Sequence, residues 1–176
     1  MRKKSSRTKN ILIVSNCTWY LYNFRKELLN DLRNRGHNLI LISPIDKYYL
    51  KISKYFIKKE NLFLVRSSEN PILEIITLIH LLFIYLKHKP DLVHHFTIKP
   101  CIYGSIAARL SGIKNKINHI TGLGPSFYSN RKKIKYVNKL LHPFYRYAFN
   151  DDKNNLINIF HNNSDKNTFI KKSITK

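Results

Sequence analysis

The sequence predicts an α/β domain, a Rossmann-like doubly wound parallel sheet. Two observations carry this. Short apolar runs alternate with longer amphipathic stretches through the whole chain. The runs Ile11-Leu-Ile-Val14 and Leu39 to Ile42 are continuous in apolar character, as in strands buried on both faces. Regular strand–helix alternation implies a parallel sheet with right-handed crossovers and helices on both sides.

Taken in order, residues 1–9 form a basic tail, expected to be disordered, and residues 10–172 form the domain. Ile11 to Val14 is the first strand. Ser15 to Asn23 reads as a polar and aromatic loop. Phe24 to Arg35 is helical, with Phe24, Leu28, Leu29 and Leu32 on one face and Gly36 ending it. Leu39 to Ile42 is the second strand. Asp46 is placed to cap a short helix carrying Tyr49, Leu50 and Ile52. Leu62 to Val65 is a third, weaker strand. Ile72 to Leu86 is the most apolar segment, too short and too interrupted by Glu74, Thr77 and His80 for the ~18 consecutive apolar residues of a span. It reads as a helix packed on the sheet, with a helix lying on a membrane surface as the alternative.

Pro90 to Ile113 is the centre of the pattern. Leu92, Val93 and Phe96 make a strand, Lys99-Pro100 stops it, and Ile102, Ile106 and Leu110 open a helix that Gly112 ends. This arrangement puts His94, His95, Thr97 and Lys99 at the carboxyl end of a strand, the edge where open α/β sheets bind ligands. Ile117 to Ile120 is the fifth strand, followed by Thr121-Gly-Leu-Gly-Pro-Ser126. Ile134 to Phe149 is a basic, aromatic, amphipathic helix. Leu156 to Phe160 is the last strand and Ser164 to Lys171 a final helix.

Composition narrows the partners. The chain has 176 residues, with 32 Lys and Arg against 10 Asp and Glu, a net charge of +22. Anionic partners are expected: lipid headgroups, phosphorylated substrates or nucleic acid. The alternative is a solvated basic face in a chain rich in Lys, Ile and Asn. Nucleic acid is set aside because the basic residues are scattered and no recognition motif is present. Cys17 and Cys101 are far apart and form no metal or redox motif, so free thiols in a reducing compartment are expected. Ile11 to Val14 is too short for a signal peptide.

Several segments resemble glycosyltransferase family 4: Asn16-Cys-Thr-Trp-Tyr-Leu-Tyr-Asn-Phe-Arg25, Pro90-Asp-Leu-Val-His94, Thr97 through Gly112, and Ile120-Thr-Gly-Leu-Gly124. More narrowly, they resemble bacterial enzymes that build polysaccharide repeat units on undecaprenyl diphosphate. The resemblance runs from about Asn10 to about Lys171. It implies the N-terminal, acceptor-binding half of a GT-B fold, the other half binding the nucleotide-sugar. Phe160 to Asp165 is similar to the family's last N-domain strand and the turn after it, so the donor domain is expected to be absent from this chain. The resemblance implies a UDP-hexose or UDP-N-acetylhexosamine donor, engaged only together with a donor domain. It also implies a lipid-linked sugar acceptor and a cytoplasmic location, peripheral on the inner face of an anionic membrane. The chain alone is expected to be inactive. A non-catalytic, membrane-binding partner subunit of a split enzyme is the alternative.

The site candidates follow from both readings. The resemblance places a catalytic role at the end of the fifth strand, at His119 or Thr121; His119 falls about one residue earlier than the family's histidine. Acceptor contacts are expected from Asn16, Trp19, Asn23, His94, Thr97, Lys99 and Tyr103. Trp19, Tyr20 and Tyr22 would offer a platform to a sugar or lipid, or else pack under the loop. Lys99 would offer a cation to a diphosphate, or else sit on the surface. Gly122 and Gly124 would let backbone N–H groups approach a phosphate, or else make a tight turn without ligand. Thr121-Gly-Leu-Gly124 is neither a Walker loop nor a dinucleotide fingerprint. Adjacent His94 and His95 point to opposite faces of a strand and chelate poorly, so no metal and no cofactor are expected.

Overall fold

The computed structural model describes residues 7–68, 70–123 and 132–175, and for 132–140 the backbone alone. Six parallel strands form one sheet: β1 (Asn10–Ser15), β2 (Asn38–Ser43), β3 (Lys58–Asn61), β4 (Leu92–Phe96), β5 (Asn115–Ile120) and β6 (Asn155–Phe160). Their order is β3-β2-β1-β4-β5-β6. The central strands β1 and β4 pair Ile13 with His94 and Ser15 with Phe96. The change of direction in strand order therefore falls between β1 and β4, where such sheets open a crevice at their carboxyl ends.

Alternate residues of the strands feed two cores. Ile11, Ile13, Leu39, Leu41 and Phe96 pack under α1 (Thr18–Phe24), α2 (Lys26–Asn34) and α3 (Tyr49–Ile52). We call this the front face. Leu12, Val14, Ile40, Ile42 and Val93 pack on the back face under α4 (Pro71–His88) and α5 (Ser105–Leu110), which a π-helical turn at Pro100–Gly104 precedes. A third cluster joins Ile106 and Ile120 to α6 (Lys132–Phe149) and α7 (Asn163–Lys171) through Phe149 and Phe169.

Three expectations change. The third strand is Lys58–Asn61, four residues before the apolar Leu62 to Val65. At the sheet edge, backbone pairing to Ile40–Ser43 suffices and charged side chains protect the edge. Leu62 and Leu64 instead plug the back core. Second, the stretch read as a loop up to Asn23 is helical from Thr18. Its first turn is held by a residue 28 positions away: Asp46 accepts from the Thr18 backbone N–H at 2.7 Å and also from the Thr18 hydroxyl. The same carboxylate accepts from Tyr48 N–H at 2.8 Å in the turn before α3, but the N-cap of α3 is Tyr48 rather than the expected Asp46, and no side chain caps it. Third, α4 packs on the sheet as expected, but it runs longer than the segment Ile72 to Leu86 and packs by one side only. Thr77, Leu81, Ile84 and Tyr85 are buried, while Ile72, Ile75, Ile76, Ile79, Phe83 and Leu86 are exposed. By length and composition this helix is apolar enough to cross a membrane, but its inner side belongs to the core.

Candidate functional site

Strand β4 carries adjacent histidines into different surroundings. His95 faces back and is fully buried. Its Nδ1 lies 2.8 Å from Asn118 Oδ1 and its Nε2 2.9 Å from the Tyr85 hydroxyl. Asn118 also accepts from Ser105 Oγ and donates to Asn158 Oδ1, and Asn158 donates to the Phe149 carbonyl. Every polar atom of the ring has a partner. Burial holds its pKa down at about 4, so the ring is neutral, donating from Nδ1 and accepting from the tyrosine.

His94 faces front. Its ring stacks on Phe96 at 4.2 Å and on His119 at 5.9 Å between centroids. Its Nε2 is buried without a partner. Burial first, and then the neighbouring His119, His95 and Arg25, push its pKa down to about 3. Above it, Arg25 leaves the α1–α2 junction and reaches the carboxyl ends of β5 and β6. Arg25 Nη2 lies 3.0 Å from His119 Nε2 and 2.7 Å from His161 Nε2, and also meets the Tyr20 hydroxyl. The two Nε2 atoms are 2.9 Å apart. Burial and then the Arg25 charge lower the pKa of both imidazoles, His119 to about 4. Thr97, just past β4, has φ 73 and a buried hydroxyl without a partner. A β-branched residue rarely adopts that conformation, and such strain collects at functional positions.

This cluster lies where the switch in strand order opens the sheet. A family model described as glycosyl transferase 4-like matches residues 10–162. The chain belongs to this family. Among solved structures it is similar to a glycosyltransferase from Rickettsia africae, at 18% identity and TM-score 0.55 over 97% of this chain and 51% of that one. It is similar to Anabaena HepE in complex with UDP-glucose, at 16% identity and TM-score 0.54 over 96% of this chain and 43% of that one. A UDP-N-acetylglucosamine 2-epimerase from Listeria monocytogenes gives TM-score 0.59 at 6% identity, over 96% of this chain and 43% of that one. These likenesses are of fold, and the chain spans about half or less of each relative. No curated protein matches the chain. The glycosyl transferase 4-like fold here is that of the N-terminal half of a GT-B glycosyltransferase.

The expected site residues separate into groups. His94, Thr97 and His119 converge on the cluster just described. Asn16, after β1, keeps a buried Oδ1 without a partner. Trp19 is exposed on α1, edge-on to Phe24 at 5.5 Å, and Asn23 donates to the Trp19 carbonyl. Thr121 and Gly122 are half-buried past β5, with Gly122 at φ 157, while Gly124 lies outside the described residues. Lys99 and Tyr103 go elsewhere. Lys99 Nζ donates to the Val65 and Ser68 carbonyls and to Glu74 Oε1 at 2.6 Å, tying the β3–α4 connection to α4. Burial and the same Glu74 push the Tyr103 pKa up. Two residues of the cluster, Arg25 and His161, were not among the candidates. Both lie inside segments that carry the family resemblance, but only the fold brings residues 136 positions apart within hydrogen-bond reach. Among the described residues, no group of three His, Cys, Asp or Glu is placed to hold a metal ion.

Proposed function

We propose that this chain is the acceptor-binding half of a glycosyltransferase that moves a hexose or N-acetylhexosamine from a UDP-sugar to a polyprenyl-diphosphate-linked saccharide, in cell-surface polysaccharide synthesis. The observation that supports it most is the cluster at the carboxyl ends of β5 and β6, where the Arg25 guanidinium meets the His119 and His161 imidazoles within a glycosyl transferase 4-like domain. Beside the cluster, Trp19 and Phe24 offer exposed aromatic surface to a sugar or isoprenoid. The donor and its departing diphosphate need the opposite cleft wall, which the C-terminal domain of a GT-B enzyme supplies.

The protein sits on the inner membrane face by its α4 side. Ile72, Ile75, Ile76, Ile79, Phe83 and Leu86 form an exposed apolar stripe, in a chain of net charge +22. Apolar area and basic charge together are what an anionic bilayer surface recognises. Titration with a short-chain polyprenyl-diphosphate-linked sugar should show saturable binding, and UDP-sugar alone none. Sedimentation with anionic vesicles should show binding that weakens with salt. Equal binding to neutral vesicles contradicts the membrane placement, and absence of glycolipid binding contradicts the acceptor role.

A further inference from the structure

Three nitrogens, Arg25 Nη2, His119 Nε2 and His161 Nε2, stand in a triangle with sides of 3.0, 2.7 and 2.9 Å. No placement of protons satisfies all three sides. Arg25 can only donate, and each neutral imidazole nitrogen either donates one proton or accepts one. If His161 Nε2 donates to His119, its N–H faces an arginine N–H. If neither Nε2 carries a proton, two lone pairs face each other. The periphery repeats the pattern: Arg25 Nε, His119 Nδ1, His94 Nε2 and Thr97 Oγ1 are buried without partners. Buried polar atoms are ordinarily paired, so a group of them around one point marks an unfilled site. Cations are disfavoured there by Arg25. What the cluster lacks is an acceptor with several oxygens.

We propose that this cluster docks a phosphate-type oxyanion, and that the anion brings a proton with it onto the His119–His161 pair. Oxygens entering the triangle accept from Arg25 and from both Nε2–H groups, and the clash between donors disappears because each donor gains its own acceptor. The charged groups around the pair set the sign of the proton linkage. Arg25, from the α1–α2 junction, works against protonation of both imidazoles. His94 on β4 is itself held neutral. Tyr20 on α1 is held protonated, its pKa raised by burial. The Asp165 carboxylate on α7 favours the charged form of His161 and is also engaged by Asn162. An added dianion outweighs the single arginine and draws the imidazoles toward imidazolium. The source of the anion rests on the acceptor reading above: the diphosphate of the lipid-linked acceptor, with a nucleotide diphosphate as the other source.

Calorimetric titration with inorganic pyrophosphate, in two buffers of different ionisation enthalpy, tests this directly. Binding should take up close to one proton per site and weaken by up to about tenfold for each unit of rising pH across the neutral range. In the ¹⁵N spectrum of the wild-type protein, the His119 and His161 ring nitrogens should move toward the imidazolium position on adding pyrophosphate, their shifts together amounting to one added proton shared by the pair. Arg25→Gln should lose binding. His161→Gln, at an exposed position, should bind weakly and with a flatter pH profile. Absence of pyrophosphate binding, binding without proton uptake, or wild-type behaviour of both variants overturns the proposal. Competition by farnesyl diphosphate but not UDP assigns the site to the acceptor. Competition by UDP alone keeps the anion site and removes the acceptor reading. Undiminished glycolipid binding by a chain that ignores pyrophosphate removes this proposal and leaves the acceptor reading standing.

Discussion

His94 and His95 are neighbours on one strand and equally hidden from solvent, yet they face two kinds of interior. On the back face, the His95 ring is gripped at both nitrogens by Tyr85 and Asn118, and the chain of bonds runs on to Asn158 and a backbone carbonyl. On the front face, His94, His119, Thr97 and Arg25 each keep a buried polar atom without a partner. A satisfied network specifies one packing, whereas an unsatisfied one stores free energy that a ligand can release. Burial alone would have classed these histidines together. Hydrogen-bond satisfaction separates structure from site.

Acid should break both faces and gives the largest effect. His94 and His95 have folded pKa values of about 3 and about 4, below the 6.5 of a free imidazole. The unfolded chain therefore binds more protons in this range. The stability due to neutral rings is complete above pH 6.5 and is lost as pH falls from there toward the folded values. Each ring should cost about 1.4 kcal/mol per pH unit in that window. Denaturant melts between neutral pH and about pH 5 read the slope; a flat profile contradicts the burial of neutral rings.

The back face holds a second polar unit. Lys116 Nζ is fully buried, 2.9 Å from Asp151 Oδ2 and 2.9 Å from the Ile113 carbonyl, with Arg109 Nε at 3.7 Å from the same carboxylate. Burial alone would raise the Asp151 pKa. The hydrogen bonds from Lys116 and Asn154 and the charges of Lys116 and Arg109 outweigh it and hold the carboxyl ionised. Lys116→Met should cost about 3 kcal/mol in urea melts, because the buried carboxylate loses its nearest cation and keeps only Arg109 at 3.7 Å and the Asn154 amide. A loss below about 1 kcal/mol, the range of an exposed ion pair, contradicts this account of the pair.

Gly104 tests the tightness of the back face. A Cβ at this position would overlap His95 Nε2 and Cδ2 and touch the Tyr85 hydroxyl, inside a helical turn that itself accepts any residue. Gly104→Ala should cost about 1–3 kcal/mol through overpacking. A neutral or stabilising outcome would mean that the turn shifts freely and that the network is loose. On the front face the sign reverses: Thr97→Gly should relieve the strain at φ 73 and stabilise by up to about 1 kcal/mol, while removing a hydroxyl from the cluster. Destabilisation comparable to that of Gly104→Ala would remove the distinction between the faces.

Much of this was legible in the chain. Continuous apolar runs place β1 and β2, because buried parallel strands need apolar residues on both faces. Alternation with helices gives the sheet its class. The edge strand β3 was misplaced because Lys58–Asn61 pairs by backbone alone, leaving no side-chain signal. The start of α1 was hidden because its first N–H groups are satisfied by Asp46, distant in sequence. No pattern in the sequence marks Lys116, and only the fold sets it against Asp151. Within the site, residues on one strand could be named in advance. Arg25 and His161 could not, since their role depends on convergence across three elements.

The most direct test pairs one variant from each face, His95→Asn and His119→Asn, and measures both the thermal midpoint and pyrophosphate affinity. His95→Asn should lower the midpoint by several degrees while the folded fraction still binds pyrophosphate with the wild-type pH dependence. His119→Asn should leave the midpoint unchanged or slightly raised, and flatten the pH dependence of binding. A His119→Asn protein that melts as early as His95→Asn, with its pyrophosphate pH profile intact, would contradict the division of the two faces into scaffold and site.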